Sequence, residues 1–240
     1  MAIAIERIEG VACGFTDNPD LPSADADASG SYALALWMFR DSESAALTAP
    51  TRNGDSFTAI DNVGDVGLGG SLAVYGQIPD VGVYDVLTAL SVFKNTAGSW
   101  CVFTGVDSTT PLGTKAEQTE VDAGGSWSAP SLTPSSAAGD LIVSILVTLH
   151  WDEAFGDTSA STVTLGGSQT LQLDQTADGA SPTVAIPRII ISTAPNGSTV
   201  SYAFSGAAKP RYRHIAFAVK VSGGGGSPVA KSVFPFFLGN

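Results

Sequence analysis

GDLIVSILVT (residues 139–148) sets Leu141, Ile142, Val143, Ile145, Leu146 and Val147 side by side with only Ser144 between them. A helix that crosses a bilayer needs about 20 apolar residues, and His150, Trp151, Asp152 and Glu153 close this run well before that length. The run is short and rich in β-branched residues, and Gly139 and Asp140 introduce it after the polar SLTPSSAA. Flanks and composition therefore favour a core strand over a buried helix.

The run has a counterpart. GSYALALWMF (30–39) also begins on glycine and continues as a short apolar strand. Downstream, APTRNGDSFTAID (49–61) matches VTLGGSQTLQLDQ (163–175), and SLAVYGQIP (71–79) answers IPRIIISTAP (186–195). DVLTALSVFKNTAGSWCVFTGV (85–106) parallels STVSYAFSGAAKPRYRHIAFAV (198–219). Order and spacing are kept: Gly30 to Gly139 is a shift of 109 and Val106 to Val219 one of 113. Retained order at a fixed spacing is the mark of an internal repeat. About four strands per half cannot bury both faces alone, so the expected fold is all-β. It is a single β-sandwich of jelly-roll or Greek-key type, built from two pseudo-repeated halves (about 30–110 and 139–222) within a domain spanning 1–222. Asn196-Gly197 reads as a two-residue hairpin turn with both residues at positive φ, which accounts for the Asn-Gly-Ser triplet without glycosylation.

Composition agrees and excludes some functions. The 240 residues are 44% hydrophobic and 14% charged, with 27 glycines and 13 prolines as punctuation, the pattern of many short strands. With 11 Lys and Arg against 23 Asp and Glu, and no basic stretch to neutralise phosphates, nucleic-acid binding is not expected. MAIAIERIEG lacks the basic and apolar regions of a signal peptide, and no segment is long enough for a membrane anchor. A chain made in the cytoplasm without membrane insertion is expected. Cys13 and Cys101 form neither a disulfide framework nor a metal knuckle; buried free thiols are the reading.

Chemistry-bearing motifs are sparse. There is no Gly-x-Ser-x-Gly elbow, and His150 and His214, the latter in KPRYRH (209–214), read as polar residues at strand ends. In DADASG, Asp25, Asp27, Ser29 and Gly30 fall at calcium-loop places, but Leu36 stands where the bidentate acid belongs. Asp152, Glu153 and Asp157 gather in WDEAFGD, as the paired carboxylates of a glycan hydrolase would, although a polar loop explains them. Tyr84, Trp127 and Tyr212 are the candidate stacking platforms of a carbohydrate-binding module. No catalytic residue, metal ligand or cofactor is assigned. After the flexible linker GGGGSP (223–228), Val233, Phe234, Phe236, Phe237 and Leu238 cluster in the terminal stretch. Residues 223–240 are therefore expected to form an arm that docks on a neighbouring subunit or folds back as a last strand, and Pro235 argues against a central strand.

APTRNGDSFTAI, SLAVYGQI and SWCVFTGVDSTTPL resemble a module of bacteriophage structural proteins and bacterial surface proteins. In that module a Gly-Asp strand is followed by a LAVYY-like strand and a Gly-Val-Asp turn with proline after it. The resemblance spans about residues 30–222, and two departures stand out. Asp55, Ser56 and Phe57 occupy the place of the usual tryptophan, and Val102, Phe103 and Thr104 that of a Tyr/Arg pair. The resemblance implies a displayed, non-enzymatic domain, and a Ser/Thr/Gly/Ala-rich β-sandwich with an acidic surface and no export signal suits a virion component: a head decoration, spike or tail fibre acting in assembly or host-surface attachment. It would be a homo-oligomer in contact with other virion proteins and with a host glycan. A carbohydrate-binding module and a glycan hydrolase are the alternatives.

Overall fold

The computed structural model describes residues 2–13, 21–26, 32–39, 49, 51–63, 71–78, 82–87, 96–120, 128–149, 162–176, 187–205 and 210–223. All regular structure among them is β. The first half holds β1 (Ala4–Cys13), β2 (Leu21–Ala26), β3 (Tyr32–Phe39), β4 (Thr51–Arg52), β5 (Asp55–Ser56), β6 (Thr58–Val63), β7 (Ser71–Gln77), β8 (Gly82–Leu87) and β9 (Thr96–Thr104). The second holds β10 (Ala116–Glu120), β11 (Ser131–Leu132), β12 (Leu141–Leu149), β13 (Val163–Leu165), β14 (Thr170–Thr176), β15 (Pro187–Pro195), β16 (Val200–Phe204) and β17 (Tyr212–Val219).

The apolar run at 141–149 is central strand β12, flanked by β15 and β17, and residues 142–148 are buried on both faces. Successive side chains of a strand point to opposite sides. Val143, Ile145 and Val147 enter the main core with Ile189, Ile191, Ile215 and Phe217, together with Leu72, Val74, Cys101 and Phe103 from the first half. Ile142 and Leu146 face the other way, towards Val200 and Tyr202 of β16. Strand entry is fixed by the Gly139-Asp140 pair. Gly139 takes φ 91°, and the Asp140 carboxylate accepts the amides of Ala137 at 2.8 Å and Val221 at 3.1 Å.

The duplication is visible in the topology. The first half forms a five-stranded antiparallel sheet in the order β1-β9-β3-β7-β6, and the second one in the order β10-β17-β12-β15-β14. Strand by strand these are the same arrangement. A smaller sheet accompanies each, β2-β8-β4-β5 in the first half and β11-β16-β13 in the second. Even an irregularity recurs in register. A bulge between Ala59 and Asp61 in β6 sets Asp61 opposite Val74, and a bulge between Leu171 and Leu173 in β14 sets Leu173 opposite Ile191. A bulge is a built feature of a strand pair, so its repetition fixes the residue equivalences: Asp61 with Leu173, Val74 with Ile191, Leu36 with Ile145, Ser99 with Ile215, and Gly10 with Glu117.

The two five-stranded sheets pack face to face as the central sandwich, one sheet from each half. The matched segments at 30–39, 49–61, 71–79 and 85–106 correspond to β3, β6, β7 and β9, and their partners to β12, β14, β15 and β17. The repeat unit is larger than halves beginning at residues 30 and 139, because β1 and β2 precede the first and β10 and β11 the second. Each half also covers the outer face of its own large sheet. Leu132, Val163, Leu165 and Phe204 of the second small sheet close over β12, β15 and β17. In the first half β2 lies against β9, and Phe57 meets buried Trp100 edge-on at 5.7 Å. Asn196-Gly197 departs from the expected hairpin. Only Gly197 has positive φ (76°), and Ser198 N donates to Pro195 O at 3.3 Å in a turn that carries the chain from one sheet to the other. The Asn-Gly turn with both residues at positive φ is Asn53-Gly54, joining β4 to β5.

The ends of the central interface differ. At one, Leu173 and Gln175 lie against Gly10, where an added Cβ would sit 2.7 Å from Gln175 Oε1 and 3.0 Å from Leu173 Cδ1. At the other, Asp61, its side chain 4% exposed, accepts Arg213 Nε at 3.0 Å and Lys115 Nζ at 2.8 Å. Arg213 and Lys115 both reach Glu117, at 2.9 and 2.7 Å. Two cations and two carboxylates thus close one end, whereas a leucine on a glycine closes the other. Removing one member of a buried pair strands the other charge and destabilises by about 3–5 kcal/mol, while replacing both with apolar groups is often neutral. We predict a loss of about that size for Asp61→Ala in urea denaturation. The double variant Asp61→Leu with Arg213→Ala, which puts apolar groups in place of both members of that pair, should recover most of it.

Candidate functional site

Two places in the described structure gather polar side chains of the kind that do chemistry or bind ligands. The first lies between the second half's large and small sheets. Ser144, at the middle of β12, has its hydroxyl 2.8 Å from His214 Nε2 and 2.8 Å from the Tyr202 hydroxyl. Tyr202 also meets Ser192 Oγ at 2.9 Å, and Gln169 Nε2 donates to Ser192 at 2.8 Å while its Oε1 accepts Ser201 N at 2.6 Å. The Tyr202 and His214 rings are edge to face at 5.2 Å. Donation running from Gln169 through Ser192, Tyr202 and Ser144 to His214 Nε2 satisfies every hydroxyl and leaves the imidazole neutral.

A serine on a histidine nitrogen is the pairing of nucleophile and base. Here it is sealed. Ser144 and His214 are both fully buried, and His214 Nδ1, where an orienting acid would sit, has no partner among the described residues. Burial pushes the imidazole down from its ordinary 6.5 to about 3 and the Tyr202 hydroxyl up to about 12. The network holds the two sheets in register; it does not present a nucleophile. His214 is therefore neither a strand-end residue nor a surface one, and its replacement belongs among core substitutions. Arg213, its neighbour in KPRYRH, points the opposite way, into the ion cluster. In the first half the equivalent rows hold Ala35, Tyr75 and Trp100 in place of Ser144, Ser192 and Ala216, and Gly98 in place of His214. Aromatic bulk there occupies the layer that hydrogen bonds occupy here.

The second place is open. A groove of about 320 Å³ runs beside Tyr32 of β3, Ser56 and Thr58 of β5 and β6, Gln77 at the end of β7, Ile78, and Pro111 of the segment joining the halves. None of these side chains is charged. Gly76 completes the lining and is required sterically, since a Cβ there would fall 1.9 Å from the Tyr32 hydroxyl. Gln77 Nε2 donates to Asp55 O at 3.2 Å, while its Oε1 has no partner among the described residues. Ile78 is 47% exposed.

The residues singled out in the sequence are not brought together. Tyr212 is fully buried, its hydroxyl donating to Ser128 O at 2.6 Å, and has no face on which a sugar could stack. Tyr84 lies on β8, with its side chain outside the described residues. Trp127, His150, Asp152, Glu153 and Asp157 also lie outside them, as do Val233, Phe234, Phe236, Phe237 and Leu238. Asp25 of the calcium-like motif is paired with Val83 in a strand, while Asp27, Ser29 and Gly30 are not described. Cys101 is a buried free thiol, its pKa pushed up to about 12 by burial. Comparison with protein-family models, curated proteins and solved structures finds no match to this chain.

The histidine has a measurable consequence. The unfolded imidazole takes up a proton below its ordinary 6.5, the folded one only near 3, so between these values the unfolded chain binds more protons and acid favours it. We predict that folding stability in urea falls as pH drops from 6.5 towards 3, beyond the loss owed to carboxylates such as Glu117, which hydrogen bonding to Lys115 holds below its ordinary value. His214→Leu should flatten the upper part of that decline. An unchanged pH profile in the variant would contradict the assignment.

Proposed function

We propose that this protein is a non-enzymatic structural component of a bacteriophage virion, a head decoration, spike or tail-fibre piece acting in assembly or attachment to the host surface. The observation that carries this reading is the use to which the chain puts its polar residues. The one serine–histidine pair among the described residues is sealed between sheets, and the ion cluster ties one repeat to the other. Such residues serve rigidity. The resemblance of SLAVYGQI and SWCVFTGVDSTTPL to strands of phage structural modules supports the same conclusion. A stack of antiparallel sheets whose central strands β12 and β17 are buried on both faces also suits a particle that must survive outside the cell. Association with copies of itself and with other virion proteins is assigned to the arm at Val233, Phe234, Phe236, Phe237 and Leu238. Burying each large apolar side chain of that arm would stabilise docking by about 1.5–3 kcal/mol.

Mass spectrometry of virions purified by density gradient from the source of the sequence tests the reading. We predict that the protein bands with the particles in a fixed ratio to their major structural proteins and stays with them through a high-salt wash. Recovery only from the soluble lysate would overturn the proposal.

A further inference from the structure

We propose that the groove beside Tyr32, Thr58 and Gln77 is a binding site for an uncharged, hydroxyl-rich ligand, a neutral sugar unit of a glycan. Its volume, about 320 Å³, is at the lower end of the range for small-molecule pockets, about 300–1,000 Å³. The lining combines apolar surface from Ile78 and Pro111 with the hydroxyls of Ser56 and Thr58 and the amide of Gln77. That mixture suits a sugar, which offers an apolar ring face and several hydroxyls. With no charged side chain among the described residues of the lining, nothing there compensates for desolvating a carboxylate, sulfate or phosphate.

The second repeat supplies an internal control. The row Thr58–Gly76 corresponds to Thr170–Thr193, and Tyr32, Gln77 and Ile78 correspond to Leu141, Ala194 and Pro195. The threonine on the edge strand is common to both. Where the first repeat has Gly76, the second has Thr193, 6% exposed and bonded to Gln172 at 2.9 Å. Where the first has Gln77, the second has Ala194, packed against Val200. Packing alone is therefore satisfied in this frame without a groove, and the first repeat departs from that solution at adjacent positions of one strand. Those departures leave an amide oxygen unpartnered. Gln77 Oε1 is covered in the free chain, but the terminal amide torsion is soft, and among the described residues the only bond in its way is the exposed 3.2 Å contact to Asp55 O. A ligand hydroxyl can draw the amide round and satisfy it.

That the sugar belongs to a host surface rests on the virion reading; the binding itself does not. The test uses the purified full chain on an array of neutral and anionic glycans, followed by calorimetric titration of the best neutral oligosaccharide. Saturable binding of a neutral glycan is expected. Gln77→Ala should weaken it about tenfold, and Thr58→Ala, at an exposed position, about two- to tenfold, in line with the loss of single hydrogen bonds. Melting temperatures should be unchanged, and Thr58→Ala keeps the test decisive if Gln77→Ala destabilises the fold. Absence of binding to any neutral glycan, preference for anionic ones, or affinity unmoved by both substitutions would overturn the site. Presence in virions without glycan binding would remove the groove proposal and leave the structural role; glycan binding without presence in virions would do the reverse.

Discussion

Everything in this fold depends on the face-to-face contact between the two five-stranded sheets. Val143, Ile145, Val147, Ile189, Ile191, Ile215 and Phe217 share one core with Leu72, Val74, Cys101 and Phe103 of the other half. Burial of apolar area is the main favourable term in folding, and a strand such as β12, apolar at consecutive positions, must be covered twice. The neighbouring repeat covers the inner face and the small sheet of the same repeat covers the outer one. Continuous apolar runs in β3 and β12 are the sequence's answer to that requirement.

Duplication let the two copies diverge wherever the shared frame allowed more than one solution. One end of the interface is shut by Leu173 over Gly10, the other by Asp61 among Arg213, Lys115 and Glu117. Between the large and small sheets, one repeat uses Tyr75 and Trp100 where the other uses a serine–tyrosine–histidine network. A buried polar network is stable only when its members find partners, and here all but His214 Nδ1 do so. Burial is why the imidazole stays neutral and why acid should act on this layer.

The sequence made the central sandwich readable because its strands are long and marked. Runs led by glycine gave β3 and β12 away, and their downstream partners followed in order. Strands β1, β2, β10 and β11 escaped because they are short or alternate weakly, so the repeat looked smaller than it is. Tertiary pairing across distant segments left no local trace. Asp61 and Arg213 are 152 positions apart, and nothing in either stretch marks the other. The sequence reads His214 as a strand-end residue because it closes the basic, polar stretch KPRYRH. The signal was present in the alternation: Tyr212, His214 and Ala216 share one face, and Arg213, Ile215 and Phe217 the other. Tyr212 misled for the same reason, since an aromatic in a strand is as often core as platform. The groove had no sequence signature, because it arises from a glycine on one strand yielding to a tyrosine on the next.

If the two repeats are one cooperative unit joined at the central interface, they must unfold together. Hydrogen exchange followed by mass spectrometry across a urea titration of the full chain measures this directly, by comparing peptides from β9 and β3 with peptides from β12 and β17. The account predicts that both sets lose protection at the same urea concentration, with the same denaturant dependence, and that Asp61→Ala moves both together. Separate transitions, with one sheet still protected after the other has opened, would show two independent domains and contradict it.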